Sequence, residues 1–248
     1  MSTSNSKFLN LSRKYSFLKK IYFFYNVYIR NYKFFFNSSQ FSEDKKILEL
    51  FGENYKGKYL DVGCYHPTRV NNTLILYRKG WKGMNIDLNQ FAIDMFNFAR
   101  PKDINICAAL SDKTSTKKVY YLGDLDPKNT LDLNHKKWLN KHFGISNKDI
   151  KKKSVKTKKL GELLKKYNFS KIDFMNIDIE GHEIEVLRSL NLKKLKIKVI
   201  CVEILNYNNK KKQQILTLLK KNGYELKSRF TINYIFQRKM NNFLSKKD

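Results

Sequence analysis

The chain has 248 residues, of which 50 are Lys or Arg and 22 are Asp or Glu, so its formal net charge is +28. Its 42% hydrophobic residues suffice for the core of one domain, and its 10 Gly, 3 Pro and 3 Cys exclude collagen-like and disulfide-scaffold classes. Only 8 basic residues are Arg, whereas Asn occurs 26 times and Ala 4 times, a bias typical of an A/T-rich coding sequence. Charge alone therefore does not indicate nucleic-acid binding.

The first 40 residues form a basic, aromatic region with seven Lys or Arg, twelve aromatic residues and no Asp or Glu. The longest uncharged apolar stretch, residues 21–29, is far shorter than a membrane span, and no cleavage pattern of a secretory signal follows it. We expect a helical extension whose aromatic residues pack on the domain or, over residues 15–36, lie in a membrane interface.

Residues 41–240 alternate between strand-like and helix-like segments, and a polar tail follows at 241–248. The strands are predicted as apolar runs at 58–62, 83–87, 104–110, 172–179 and 199–204, with a hairpin over 224–238. Helices are predicted from helical apolar spacing at 43–51, 70–79, 90–99, 160–167, 184–190 and 210–221. Residues 113–160 are rich in lysine and are expected to be less regular. This alternation predicts an α/β fold with a mainly parallel sheet covered on both faces.

Polar residues follow the first two predicted strands, where ligands bind in such sheets. Gly63 allows a close approach of the backbone to a ligand, and Asp61 can orient the loop or a ligand ammonium group. Asp87 stands where an acidic side chain accepts the hydroxyls of a nucleoside ribose. Because His66 and Pro67 replace the glycines that would support a pyrophosphate, the pattern favours S-adenosylmethionine over a dinucleotide. A tight turn after a buried strand would leave the same pattern.

The predicted fourth strand ends in two carboxylates, Asp178 and Glu180, which point to the same side of an extended chain. Burying them is costly without a partner or a ligand. His182 follows at the start of a helix, whose positive end favours the neutral imidazole that a general base needs. It could equally be a residue that only hydrogen-bonds a carboxylate. Glu203, which ends the next strand, joins this cluster or pairs with a lysine.

Several of these stretches together resemble FkbM-type methyltransferases, and the most specific is Asp-Ile-Glu-Gly-His-Glu at 178–183. The resemblance covers residues 55–238 and is carried by 59–67, 72–73, 80–87, 100–105, 109–112, 177–183 and 199–204. It implies a Rossmann-like class I fold with seven strands, the C-terminal one antiparallel. It also implies S-adenosylmethionine-dependent O-methylation, commonly of sugar hydroxyls in surface polysaccharides or glycosylated metabolites. The resemblance is loose over 113–160, so the acceptor does not transfer.

By the same resemblance, each candidate site residue has a role. The methionine half of the cofactor would be bordered by Asp61, Gly63, Cys64 and Tyr65. The ribose would contact Asp87, the adenine would contact Leu88, and the adenine amino edge would contact Ser111 or Asp112. The methyl-donor end would lie beside Asp178, with the acceptor beside Glu180 and His182.

Three alternatives stay open at this point. The base is His182 or Glu180, and Mg²⁺ held by Asp178, Glu180 and Glu203 is a less favoured addition. An RNA methyltransferase is suggested by the lysines at 151–153 and 158–159, although nucleic acid is not the favoured partner. A non-catalytic scaffold tethered to a membrane through residues 15–36 is the third. We expect a cytoplasmic protein whose cysteines are reduced, with Cys107 and Cys201 in buried strands. Peripheral contact with the inner face of the membrane stays an open alternative.

Overall fold

The computed structural model describes residues 15–35, 39, 41–123 and 126–239. The predicted polar tail at 241–248 lies outside the described residues, as do residues 1–14 of the predicted extension. Within the described ranges the strands are, in chain order, β1 Lys58–Val62, β2 Lys82–Asp87, β3 Ile104–Cys107, β4 Ala109–Leu110, β5 Thr116–Tyr121, β6 Lys151–Lys158, β7 Phe174–Ile177, β8 Val199–Glu203, β9 Tyr224–Phe230 and β10 Asn233–Arg238.

A seven-stranded sheet forms the centre of the fold, with the strand order β3-β2-β1-β7-β8-β10-β9. The first five of these strands are parallel to one another, and β10 runs antiparallel between β8 and β9. The predicted fold class, a mainly parallel sheet with an antiparallel C-terminal strand, is confirmed. The chain moves outward from β1 to β3 and then continues on the other side of β1 with β7. Ligands bind at such a switch in strand order.

Helices cover both faces of this sheet, as the alternating pattern predicts. Those of the described residues are α1 Ser16–Phe24, α2 Glu43–Phe51, α3 Leu74–Arg78, α4 Gln90–Ala99, α5 Leu133–Phe143, α6 Leu160–Lys166, α7 Glu183–Arg188, α8 Leu192–Leu195 and α9 Asn209–Lys221. Successive strand residues face opposite sides of a sheet. Leu60 therefore belongs to the core that α6, α7 and α9 cover, and Tyr59 to the core beneath α2 and α3.

Residues 109–158 form a second sheet that the sequence analysis missed. It has the strand order β4-β6-β5, and β5 pairs with β6 over six residues. The expectation of an irregular segment is therefore wrong. The lysines of β6 lie on exposed positions while Thr157 is buried, so a regular strand forms although its sequence has few apolar residues. The predicted strand at 104–110 is likewise divided: Ala108 separates β3 in the main sheet from β4 in the second.

The N-terminal segment packs on the domain through one of its faces. Tyr22 and Phe23 of α1 are buried against Phe91 and Met95 of α4. The helix continues as a π-helical turn over Tyr25–Ile29 and is followed by a 3₁₀ turn over Tyr32–Phe35. No helix of the described residues has both the length and the apolar composition needed to cross a bilayer.

Two local expectations are corrected. Cys107 is exposed, because β3 is the edge strand of the main sheet, whereas Cys64 and Cys201 are buried; all three are free thiols. The predicted helix at 70–79 begins only at Leu74, because the side chains of Asn71 and Thr73 bond to Asp61 instead.

Candidate functional site

A cavity of about 340 Å³ lies at the carboxyl edge of the main sheet, where β1, β2, β7 and β8 end. It brings together Asp61, Asp87 and Asp178, which lie at the carboxyl ends of three adjacent strands. Its size falls within the ~300–1,000 Å³ typical of small-molecule sites. The other predicted site residues in its lining are Gly63, Cys64, Tyr65, Leu88, Glu180 and His182, and Glu203 lies there as well.

Gly63 joins two of the loops that form the cavity. Its φ is +81°, and a Cβ atom at this position would lie 1.6 Å from the backbone oxygen of Asp178. A side chain at residue 63 would therefore push the loop after β7 away from the loop after β1. The predicted reason for a glycine here was the approach of a ligand, but the structure shows the approach of a neighbouring strand's backbone.

Asp61 holds the loop after β1 in place. One of its carboxylate oxygens accepts from Asn176 Nδ2 at 3.0 Å, and the other accepts from Thr73 Oγ1 at 2.8 Å and Asn71 Nδ2 at 3.2 Å. Burial raises the pKa of Asp61 in spite of these bonds. Of the two predicted roles, orientation of the loop is the one that these contacts support.

Arg100 lies behind this network and was not singled out from the sequence. It is almost completely buried and donates to Thr73 Oγ1 and Asn71 Oδ1, each at 2.8 Å. It also donates to the backbone oxygen of Pro67. Its guanidinium group thus fixes the residues that bond to Asp61. In the sequence it only precedes a proline at the end of a helix, and no pattern there indicates burial.

Asp87 connects the ends of the first two strands. Its carboxylate accepts from the backbone N–H of Tyr65 at 3.0 Å and of Asn89 at 2.8 Å. Burial raises the pKa of Asp87 to about 6. Tyr65 has a φ of +52°, an uncommon conformation for a residue other than glycine, which is typical of functional loops. Asp87 lines the cavity, and a carboxylate has more acceptor sites than these backbone bonds occupy, so it can also accept hydroxyl donors.

Carboxylates accumulate at the ends of β7 and β8. One oxygen from each of Asp178, Glu180 and Glu203 lies within 4.8 Å of the others. Burial raises the pKa of Asp178 to about 6, and burial together with the neighbouring carboxylates raises that of Glu203 well above its usual range. Glu203 Oε2 is buried and has no hydrogen-bond partner among the described residues. The cluster is suited to a positively charged ligand group, either an organic cation or a metal ion.

Glu180 has a partner that the sequence analysis missed, His135 of α5. His135 Nε2 lies 3.1 Å from Glu180 Oε2, and the imidazole is completely buried. Burial lowers the pKa of His135 to about 4, whereas burial and the charge of Asp178 raise the pKa of Glu180 well above its usual range. Burial thus favours the uncharged form of both groups. Glu180 also has a φ of +57°, a strained backbone conformation of the kind that is common at functional sites.

His182, the other candidate base, has neighbours at both ring nitrogens. Its Nε2 lies 3.1 Å from Ser111 Oγ and 3.3 Å from Lys117 Nζ, and its Nδ1 lies 3.6 Å from Glu185 Oε2. Burial lowers its pKa to about 4, as the neutral imidazole predicted from the sequence requires. Ser111 and Asp112, which bond to each other, do not line the cavity.

The opposite wall of the cavity comes from residues 126–143. Trp138 lines it and stacks on Tyr207 at 5.4 Å between ring centroids, with Lys128, Asn129 and Phe143 nearby in the lining. Thr130 Oγ1 donates to the backbone oxygen of Glu180 at 2.7 Å and joins this wall to the carboxylate cluster. This wall combines an aromatic surface with polar groups.

A model of the methyltransferase FkbM domain matches residues 61–226, a range that contains the loops of both walls. Among solved structures, a TehB-like SAM-dependent methyltransferase from Corynebacterium glutamicum is similar with a TM-score of 0.45 and 12% identity, covering 95% of this chain and 100% of that one. A protein described as an RNA methyltransferase from Pyrococcus horikoshii has a TM-score of 0.41 and 10% identity, covering 80% and 83%. No curated protein matches the chain.

Proposed function

Because the chain belongs to the FkbM methyltransferase family, of the S-adenosylmethionine-dependent class, we propose that it methylates a hydroxyl group of a sugar, in a surface glycan or a glycosylated metabolite. The observation that carries this proposal is the shared cavity. Carboxylates for the ribose and for a cation follow adjacent parallel strands, and a second wall with an aromatic surface faces them.

The residues of the carboxylate wall fit S-adenosylmethionine. Asp87 would accept the ribose hydroxyls, and Leu88 offers an apolar side chain next to it. Cys64 and Tyr65, on the loop that Asp61 and Gly63 fix in place, would border the methionine half. A positively charged sulfonium group beside Asp178 and Glu203 would stabilise their ionised forms, which burial and the neighbouring carboxylates disfavour in its absence.

When bound, S-adenosylmethionine supplies a methyl group whose transfer breaks its bond to sulfur, forms a bond to the acceptor oxygen and leaves S-adenosylhomocysteine. The protein must orient that oxygen and remove its proton. Glu180 lines the cavity, and its raised pKa makes it a stronger base than an ordinary carboxylate. His135 would orient Glu180 and share the proton that it accepts.

The geometry supports Glu180 over His182 as this base. For His182 to take a proton through Nε2, it would first have to give up its contacts with Ser111 and Lys117. Glu180 has only His135 as a side-chain partner among the described residues, and His135 lies behind it rather than in the cavity lining. His182 then acts by fixing the start of α7 next to Glu180.

The second wall supports a sugar acceptor. A sugar ring has apolar faces and polar edges, so it fits a site in which an aromatic side chain lies beside hydrogen-bonding groups. Trp138 offers such a surface, and Asn129 and Lys128 offer donors at its border.

The first test is cofactor binding by isothermal titration calorimetry. Asp87→Ala should weaken S-adenosylmethionine binding about 10–100-fold, since it removes two charge-assisted hydrogen bonds. The control Glu53→Ala removes a fully exposed carboxylate outside the cavity and should bind as the unchanged protein does.

Transfer of a labelled methyl group to free glycosides, to nucleoside-diphosphate sugars and to RNA then identifies the acceptor. Labelling of a sugar hydroxyl supports the proposal. Labelling of RNA alone would show that the acceptor is a nucleic acid and not a sugar. Failure of the chain to bind S-adenosylmethionine would overturn the proposed function.

A further inference from the structure

The N-terminal helical segment carries an apolar stripe that no described part of the chain covers. The stripe consists of Phe17, Ile21, Phe24, Tyr25, Ile29 and Tyr32, whose side chains are 43–72% exposed. These positions recur at the three- and four-residue spacing that places side chains on one side of a helix. Of the large hydrophobic side chains that are exposed in the described residues, more lie between residues 15 and 32 than in the rest of the molecule.

The opposite side of the same segment is fixed to the domain. Tyr22, Phe23 and Val27 are buried, and the Phe23 and Phe91 rings meet edge to face at 5.3 Å. Thr68 Oγ1 donates to the backbone oxygen of Val27 at 3.1 Å. The helix is therefore hydrophobic on both sides, and its burial against α4 uses only one of them. A helix of this kind is expected to bury its second side elsewhere.

The charges that the N-terminal segment itself carries have one sign. No Asp or Glu precedes Glu43 in the sequence, whereas seven Lys or Arg do. Lys20, Arg30 and Lys33 are exposed next to the stripe, and Lys19 faces the domain, where it pairs with Asp94. Aromatic and aliphatic side chains bordered by basic residues match the interface of a bilayer with anionic headgroups.

We propose that the apolar stripe inserts into the surface of an anionic lipid bilayer and holds the enzyme there as a peripheral protein. The segment is too short to span the bilayer, so it lies in the plane of the interface. Thr68 belongs to the loop after β1, and Arg69 and Val70, which follow it, line the cavity. Membrane docking therefore brings this side of the cavity next to the lipid surface, where an acceptor attached to a lipid is within reach.

The experiment is co-sedimentation of the full chain with vesicles of phosphatidylcholine, with and without phosphatidylglycerol. We expect binding to the anionic vesicles and at least about tenfold weaker binding to the neutral ones, with a loss of binding at high salt. Phe24→Ser/Ile29→Ser should weaken binding about tenfold or more. The matched control Tyr167→Ser/Leu226→Ser removes two exposed hydrophobic side chains outside the N-terminal segment and should leave binding unchanged.

A second pair of variants tests the charge. Lys20→Glu/Lys33→Glu should weaken binding to anionic vesicles about tenfold, whereas Lys220→Glu/Lys221→Glu, at the end of α9, should have little effect. Folding of each variant is checked by circular dichroism and thermal unfolding, which do not depend on the proposed function.

Three outcomes would overturn the proposal. The first is equal binding of the stripe variants and their controls. The second is a protein that does not bind vesicles and forms a dimer, with Phe24→Ser/Ile29→Ser dissociating that dimer. The stripe would then be a contact with a second copy of the chain. The third is a monomer that does not bind vesicles. Other residues of the same chain would then have to cover the stripe.

Discussion

The two walls of the cavity differ in origin and in chemistry. The carboxylate wall comes from the strand ends of the main sheet and contains Asp61, Asp87 and Asp178, held by backbone and side-chain hydrogen bonds. The second wall comes from residues 126–143, beside the second sheet, and presents Trp138 and Lys128. The first wall is suited to a cationic nucleoside ligand, and the second is suited to an acceptor. Under the proposed function, the cofactor and the acceptor would therefore contact separate parts of the chain.

One pair of residues, Glu180 and His135, joins the two walls and gives the largest expected effect. Glu180→Gln keeps the shape but removes the base, so turnover should fall about 10²–10⁴-fold while cofactor affinity changes by a few-fold at most. Steady-state kinetics with a saturating acceptor measures the first, and calorimetry measures the second. His135→Gln should reduce turnover less and shift the acidic limb of the pH–rate profile, because it alters the proton affinity of Glu180.

Two results would contradict the assignment of Glu180. Full turnover by Glu180→Gln, combined with a large loss in His182→Ala, would make His182 the base. Loss of turnover on treatment with EDTA, reproduced by Glu203→Gln, would show that a divalent cation occupies the carboxylate cluster.

A smaller effect is expected when only the second wall is changed. Trp138→Leu should raise the KM for the acceptor about tenfold, equivalent to ~1.4 kcal/mol, and leave cofactor binding unchanged. Tyr167→Leu, at a partly exposed ring outside the cavity, is the matched control. If Trp138→Leu weakened cofactor binding instead, the two walls would not divide cofactor and acceptor between them.

The smallest effect is expected from pH, which acts on the carboxylate wall alone. Asp87 and Asp178 have pKa values raised from 3.8 to about 6, so both are protonated at pH 5 and ionised at pH 8. A cation binds the ionised form better, so the preference for S-adenosylmethionine over the uncharged thioether S-adenosylhomocysteine should rise about fivefold over this range, as ~1 kcal/mol implies. Calorimetry at both pH values measures it, and a constant preference would argue against a sulfonium beside these groups.

The same pKa shifts of Asp87 and Asp178 also contribute to the dependence of stability on pH. A carboxyl whose pKa is raised on folding contributes stability fully below its ordinary pKa, here 3.8, and loses it as the pH rises through about 6. Asp87 and Asp178 should therefore contribute less to the free energy of unfolding of the ligand-free protein at pH 7 than at pH 4, while the lowered pKa values of the buried His135 and His182 act in the opposite direction over this range. S-adenosylmethionine should restore more of it at pH 8 than at pH 5, which thermal unfolding can measure.

Apolar runs and strand ends made the main sheet and the carboxylate wall predictable. Parallel strands end at a common edge, so polar residues that follow buried strands meet there wherever the strands are correctly assigned. Asp61, Asp87, Asp178 and Glu180 were found in this way. His135 was not found, because it lies on α5 within the lysine-rich segment 113–160, where exposed lysines hide the period of the strands on either side of this helix.

By itself, the amino-acid sequence determined the strands of the main sheet and most of the helices between them, the carboxylates at the strand ends and the basic, aromatic character of the N-terminal segment. Only the tertiary structure decided which side of that segment is buried, that Gly63 accommodates the backbone of Asp178, and that His135 reaches Glu180. The first set depends on local periodicity and on rules common to parallel sheets. The second depends on contacts between residues far apart in the chain, whose distances no local pattern encodes.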